Sequence, residues 1–198
     1  MSALTNDMRT ATGVITRSNT GIPSSRLAMW FLLGGEVLIF GGLLVSYMMG
    51  RLAHPEWAEE AHHTATTIGF INAIILLTSD LFVVMAHADA QRKDGASAAK
   101  NIMITVALGL AFLVIKGFEY SHEISAGLTI HKSVFWAYYY LITGIHGSHI
   151  VVGIIALTLV ARTAKRGEQL QRVETAGIYW HFVDMVWLIV FPLLYIAK

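Results

Sequence analysis

Long apolar runs alternate with short polar stretches along this chain. A bilayer core needs roughly 20 consecutive apolar residues in helical form. Five stretches meet that length: about Leu27–Met49, Thr66–Ala88, Asn101–Tyr120, Val134–Ala161 and Ala176–Ala197. The breaks between them carry turn chemistry, at His54-Pro55-Glu56, Asp94-Gly95 and Arg166-Gly167-Glu168. No connection is long enough to hold a soluble domain, and no internal repeat is visible. The pattern predicts an all-α polytopic membrane helix bundle with five transmembrane helices. Residues 1–25 read as a flexible cytoplasmic tail, and residues 26–198 as the transmembrane domain.

Composition agrees with that pattern. Of 198 residues, 55% are hydrophobic and 14% charged, against about a quarter charged in an ordinary soluble domain. The net charge of +1 offers no field to attract nucleic acid. There is no cysteine, which excludes disulfides, thiolate metal sites and cysteine nucleophiles. The N-terminal 25 residues are polar and lack the apolar stretch of a secretory signal.

The cations divide unevenly between the two sides. Arg9, Arg17, Arg26, Arg92, Lys93, Lys100, Arg162, Lys165, Arg166 and Arg172 flank one end of the spans. Arg51, Lys132 and Lys198 flank the other. The positive-inside rule then predicts a cytoplasmic N-terminus and an external C-terminus. Trp30, Trp136, Tyr138, Trp180 and Tyr195 lie toward span ends, where rings with polar tips favour the headgroup zone.

Charged residues inside the spans carry most of the information. Each costs about 2.5–3.5 kcal/mol at a helix centre on insertion scales, so such residues face a protein interior and usually have partners. Glu36 sits mid-span behind Gly34-Gly35. Lys116 and Glu119 are spaced to pair on one face near the outer end of their span. Asp80 lies deep in the second span with no partner evident from sequence. His146 and His149 share a face of the fourth span, and His181 and Asp184 repeat that spacing on the fifth. Two readings stay open for these four residues. One is a metal site, since imidazoles and carboxylates on helices can hold zinc, iron or copper. The other is an interhelical polar network joining the last two spans. A proton-coupled transporter built on Glu36 and Asp80 would call for repeats and interrupted helices, and neither is visible.

Specific wording then narrows the choice. Tyr179-Trp180-His181-Phe182-Val183-Asp184, followed by Val186-Trp187, closely resembles the terminal helix of subunit III of haem-copper respiratory oxidases. Gly144-Ile145-His146-Gly147-Ser148-His149, continuing to Gly153, is similar to another element of that family. Glu119-Tyr120, Glu36 with Phe40, and Asn72 agree. The resemblance spans about residues 26–197 and points to the short five-helix bacterial form. Gly35 before Glu36, in place of serine, and Asp80 depart from the family pattern.

The resemblance implies a non-catalytic subunit in the bacterial cytoplasmic membrane. It implies packing against catalytic subunit I and, through the complex, association with subunit II. Haem and copper would reside in those partners, with no cofactor, metal or catalytic residue in this chain. It also implies bound phospholipid and support of proton uptake during oxygen reduction and proton pumping. Glu36, Glu119, Trp180 and Trp187 become candidates for lipid contact or proton-related roles. His146, His149, His181 and Asp184 become the interhelical polar network. The wording of the last span leans toward the cytochrome c type. A quinol oxidase subunit and a nitric oxide reductase-associated protein are the alternatives within the family. A membrane metalloprotein using His146, His149 and His181 is the alternative outside it.

Overall fold

The computed structural model describes residues 24–197, with side chains from Leu27 onward; the N-terminal tail expectation lies outside the described residues. The chain forms α1 (Ser24–Ala53), a short α2 (Trp57–Ala61), α3 (Thr66–Gln91), α4 (Gly95–Ser125), α5 (Val134–Ala164) and α6 (Gln171–Phe191). A π-helical turn, Pro192–Ile196, closes the bundle. Five helices are long and apolar enough to cross a membrane. The described residues contain no strand.

The helices outrun the apolar stretches that announce them. The 31 residues of α4 extend about 46 Å at 1.5 Å per residue, whereas the hydrocarbon core is about 30 Å thick. The polar turns at each end therefore continue the helix through the headgroup region, where hydropathy cannot see it. Local caps set two of the starts. The Asp94 carboxylate accepts the Ser97 N–H at 3.0 Å to open α4, and Ser133 Oγ accepts the Trp136 N–H at 3.4 Å to open α5.

Neighbour relations are simple. The closest partnership is α3 with α4. α5 packs on α4 and α6, α6 also packs on α3, and α1 lies across α5 and α6. Glycine permits the tightest approach. A Cβ at Gly95 would sit 2.1 Å from the Ala164 carbonyl oxygen, so no other residue fits where the start of α4 meets the end of α5. Pro192 has no N–H to continue the α-helical ladder. The chain widens there, with the Ala197 N–H bonded to the Pro192 carbonyl at 2.8 Å. This turn buries Leu194 and Tyr195 completely.

Candidate functional site

Polar side chains gather at three levels of the bundle. The first is built from the C-terminal half of α4. Lys116, Glu119 and Glu123 recur at helical spacing on one buried face. Lys116 Nζ approaches Glu119 Oε2 at 3.1 Å, off hydrogen-bond alignment. It donates to Tyr139 of α5 at 2.8 Å and to Tyr195 of the π turn. Four aromatic rings surround the ammonium, their centroids 4.7–5.7 Å away, an arrangement that favours a desolvated cation.

Proton counting resolves the rest of the cluster. Glu119 Oε1 is within reach of the Tyr195 hydroxyl at 2.7 Å and the Tyr139 hydroxyl at 2.8 Å. Tyr139 lies equally near Glu123 Oε1, at 2.8 Å. Each phenol has one proton to give. Tyr195 can serve Glu119, which frees Tyr139 to serve Glu123. The expected Lys116–Glu119 pair is thus part of a five-residue cluster inside the bundle. Sequence reading missed Glu123, although its i+7 spacing from Lys116 was legible. Tyr139 and Tyr195 carried no such signal, because only the packing of α5 and the Pro192 turn brings them in.

At mid-depth, α1 is tied to α5 by Glu36 and His149. Glu36 Oε2 lies 2.9 Å from His149 Nε2, and both side chains are largely enclosed. His149 Nδ1 lies 2.8 Å from the Ile145 carbonyl, which can only accept, so Nδ1 carries a proton. One further proton must then sit between Nε2 and the carboxyl. The pair is neutral as a whole, whether written as imidazolium–carboxylate or as imidazole–carboxylic acid. Phe40 packs edge-on against the imidazole at 5.2 Å.

The third level joins α6 to its neighbours through Trp180. The indole is buried, and Cβ atoms placed at Gly109 of α4 and Gly153 of α5 would each fall within 2.8 Å of it. Its N–H donates to Ser79 Oγ on α3 at 3.0 Å. Ser79 in turn donates to the Leu76 carbonyl at 2.7 Å, and its own carbonyl accepts from Thr105 of α4 at 3.2 Å. Asp184 is buried beside Ser79 and Asp80. The Ser79 proton is already used on Leu76, and neither Asp184 oxygen has a hydrogen-bond partner of good geometry. Asp80 pairs with His181 across α3 and α6, supplying the partner that sequence left unnamed.

These positions correct several expectations. His146, His149, His181 and Asp184 do not form one network between α5 and α6. His149 reaches α1 and His181 reaches α3. His146 lies between the Phe112 and Trp187 rings, 5.7 and 5.2 Å away by centroid, with no hydrogen bond to either nitrogen. The i+3 spacing places two side chains on one helix face, but it leaves open which neighbour that face meets. Glu119, Trp180 and Trp187 are enclosed by the bundle and reach no lipid-facing surface in this chain. Trp136, Trp180 and Tyr195 are likewise fully buried rather than set as headgroup anchors, whereas Trp30 is exposed. Gly109 and Gly153 make room for Trp180, and the Pro192 turn carries Tyr195 inward. Among the described residues, no three His, Cys, Asp or Glu side chains converge to hold a metal ion.

A sizeable cavity opens on the bundle. It encloses about 610 Å³ between α1, α5 and α6, with Met29, Leu32, Val152 and Val160 along its length and Arg172 in its polar lining.

Fold and sites together define a multi-pass helical membrane protein whose ionisable groups tie its helices to one another. Its sequence matches the family described as Cytochrome c oxidase subunit III over residues 10–198. The chain belongs to that family. It is 33% identical over 175 residues to Cytochrome c oxidase subunit 3 of Thermostichus vulcanus, covering 86% of each chain. It is 32% identical over 203 residues to the subunit 3 of Synechocystis sp., covering 98% of this chain and 86% of the relative. Similarity also extends to Heme-copper oxidase subunit I+III of Aeropyrum pernix, 31% identical over 183 residues. That match covers 87% of this chain and 22% of the longer relative.

Proposed function

We propose that the chain acts as a non-catalytic subunit III of an aerobic haem-copper terminal oxidase of the cytochrome c type. In this reading it stabilises catalytic subunit I, meets subunit II through the complex, and supports proton uptake during oxygen reduction and proton pumping. Haem and copper belong to those partners. The membrane is the bacterial cytoplasmic membrane, with the N-terminus inside and the C-terminus outside.

Similarity to subunit 3 proteins along nearly the whole chain carries this reading. The Aeropyrum pernix relative, whose name joins subunits I and III, supports direct association with subunit I. The apolar cavity between α1, α5 and α6 supports phospholipid binding. Its walls suit an acyl chain, and Arg172 is placed to pair with a phosphate. The neutral Glu36–His149 pair holds α1 against α5, and α1 supplies one wall of that cavity.

A tagged pull-down in mild detergent tests the reading, followed by an optical redox spectrum and identification of the co-purifying proteins. Haem absorbance carried by a separate, larger subunit is the expected result. A chain that purifies alone with its own metal would refute it.

A further inference from the structure

The Asp80–His181 pair differs from the other polar sites because it is half open. Its side chains are 29% and 38% exposed, against 1% and 6% for Glu119 and Lys116. Asp80 lies about 21 Å from the Thr66 end of α3 and about 16 Å from the Gln91 end at 1.5 Å per residue. That places it near the middle of a hydrocarbon layer about 30 Å thick, beyond the reach of lipid headgroups on either side. The surface around it is apolar. Leu77 and Val84, at i−3 and i+4 from Asp80, are exposed, as are Met185 and Leu188, at i+4 and i+7 from His181.

The pair uses Asp80 Oδ1 and His181 Nδ1. Among the described residues no hydrogen bond reaches the second carboxylate oxygen or the imidazole Nε2, which leaves both for an outside partner. Hydrocarbon offers neither donor nor acceptor, so lipid tails cannot cover this spot without a large desolvation cost. A protein helix bearing a hydroxyl or carboxamide can supply both, and the apolar rim would pack against its aliphatic side chains. α6 presents this strip between α1 and α3, both of which pack against it.

We propose that the strip formed by Leu77, Asp80 and Val84 of α3 with His181, Met185 and Leu188 of α6 docks a transmembrane helix of subunit I. The Asp80–His181 pair is its polar anchor, bonded to a hydroxyl or carboxamide side chain on that helix. This rests on the proposed function, in which subunit I is the neighbour. The fused relative supports that occupant over a second copy of this chain.

The test uses the whole oxidase complex in its native membrane. A photo-crosslinking benzoylphenylalanine is introduced at Met185, 64% exposed on α6, and separately at Val114, 58% exposed on α4. In parallel, the double variant Asp80→Leu/His181→Leu is compared with Asp80→Asn/His181→Gln for retention of subunit I after detergent extraction. The expected results are an adduct with subunit I from position 185 and none from 114, loss of subunit I in the leucine variant, and retention in the amide variant. An adduct with subunit I from position 114 alone would overturn the face while leaving the proposed function standing. An adduct between two copies of this chain from position 185 would overturn subunit I as the occupant. Full retention of subunit I in the leucine variant, with no protein adduct from 185, would mean that the strip faces lipid and would overturn the proposal. Failure of any oxidase subunit to co-purify with the unaltered chain would overturn both readings.

Discussion

Replacing Lys116 with methionine tests whether the cluster around it is a desolvated charge network. The change keeps most of the side-chain length but removes the ammonium that faces Glu119, Tyr139 and Tyr195. Two carboxylates would then share a buried site with only phenol protons to stabilise them. Removing one partner of a buried pair costs about 3–5 kcal/mol, because the remaining charge keeps its desolvation penalty. The second half of the cycle is Lys116→Met combined with Glu119→Leu. It removes the ion pair together and leaves Glu123 with the Tyr139 hydroxyl. Coupling between contacting residues amounts to about 0.5–3 kcal/mol, so the double variant should be less damaged than the sum of the two single ones. Equilibrium unfolding in mixed detergent–SDS micelles, followed by tryptophan fluorescence, reads these differences. A loss below about 1 kcal/mol for Lys116→Met would match a hydrated surface pair. It would refute the buried-network reasoning, as would strict additivity of the cycle.

Four further sites give outcomes that follow from the geometry. Glu36→Gln should leave assembly and oxygen reduction largely intact, since an amide N–H can donate to the Nε2 of a neutral His149 as the carboxylic-acid form of the pair does. Glu36→Leu should loosen α1 by about 0.6–1.7 kcal/mol, the range of interhelical hydrogen bonds in membranes, read as easier proteolysis of the α1–α2 loop in detergent. Gly153→Val should force the Trp180 indole out of its seat, where a Cβ would already lie 2.8 Å away. The cost is about 1–3 kcal/mol of overpacking, visible as red-shifted tryptophan emission and a lower melting temperature. The Asp94 carboxyl, at the cytoplasmic end in the proposed orientation, is held below the usual aspartate range by the Ser97 N–H. Its contribution to stability is therefore present above the ordinary aspartate pKa and is lost as pH falls through the lowered value. Asp94→Asn, which still caps the helix, should flatten that acid limb of the melting-temperature profile, and an unchanged limb would assign it to other groups. Arg172→Gln should reduce the phospholipid retained per complex in native mass spectrometry, and equal lipid counts would argue against a phosphate contact at the 610 Å³ cavity.

Much of the architecture was legible along the chain because membrane insertion is a local property. Apolar length alone decides which segments can cross, so five spans and their order followed directly from hydropathy. The list of intramembrane ionisable residues followed too, and the cost of placing them in lipid marked them as partnered before any partner was known. Family wording in the last two spans was equally local, and the match over residues 10–198 confirms it.

Partner identity is a different kind of information. Helix periodicity fixes which side chains share a face, but not how each helix is rotated against its neighbours or which neighbour it meets. His149 and His181 carry the same spacing signal, yet one meets Glu36 on α1 and the other Asp80 on α3. Trp180 looked like a headgroup anchor by position, until Gly109 and Gly153 on two other helices opened a seat for it. Tyr195 enters the Lys116 cluster because Pro192 withholds one hydrogen-bond donor and widens the last turn. Spans, their sequence order and most of the buried charges were determined by the amino-acid sequence alone, because each depends on residues close together in the chain; Glu123 escaped because it lies past the apolar stretch that marks its span. Apart from Lys116–Glu119, whose i+3 spacing was legible, the pairing of those groups was decided only in the tertiary structure, because it depends on side chains 20 to more than 100 positions apart meeting across helix interfaces.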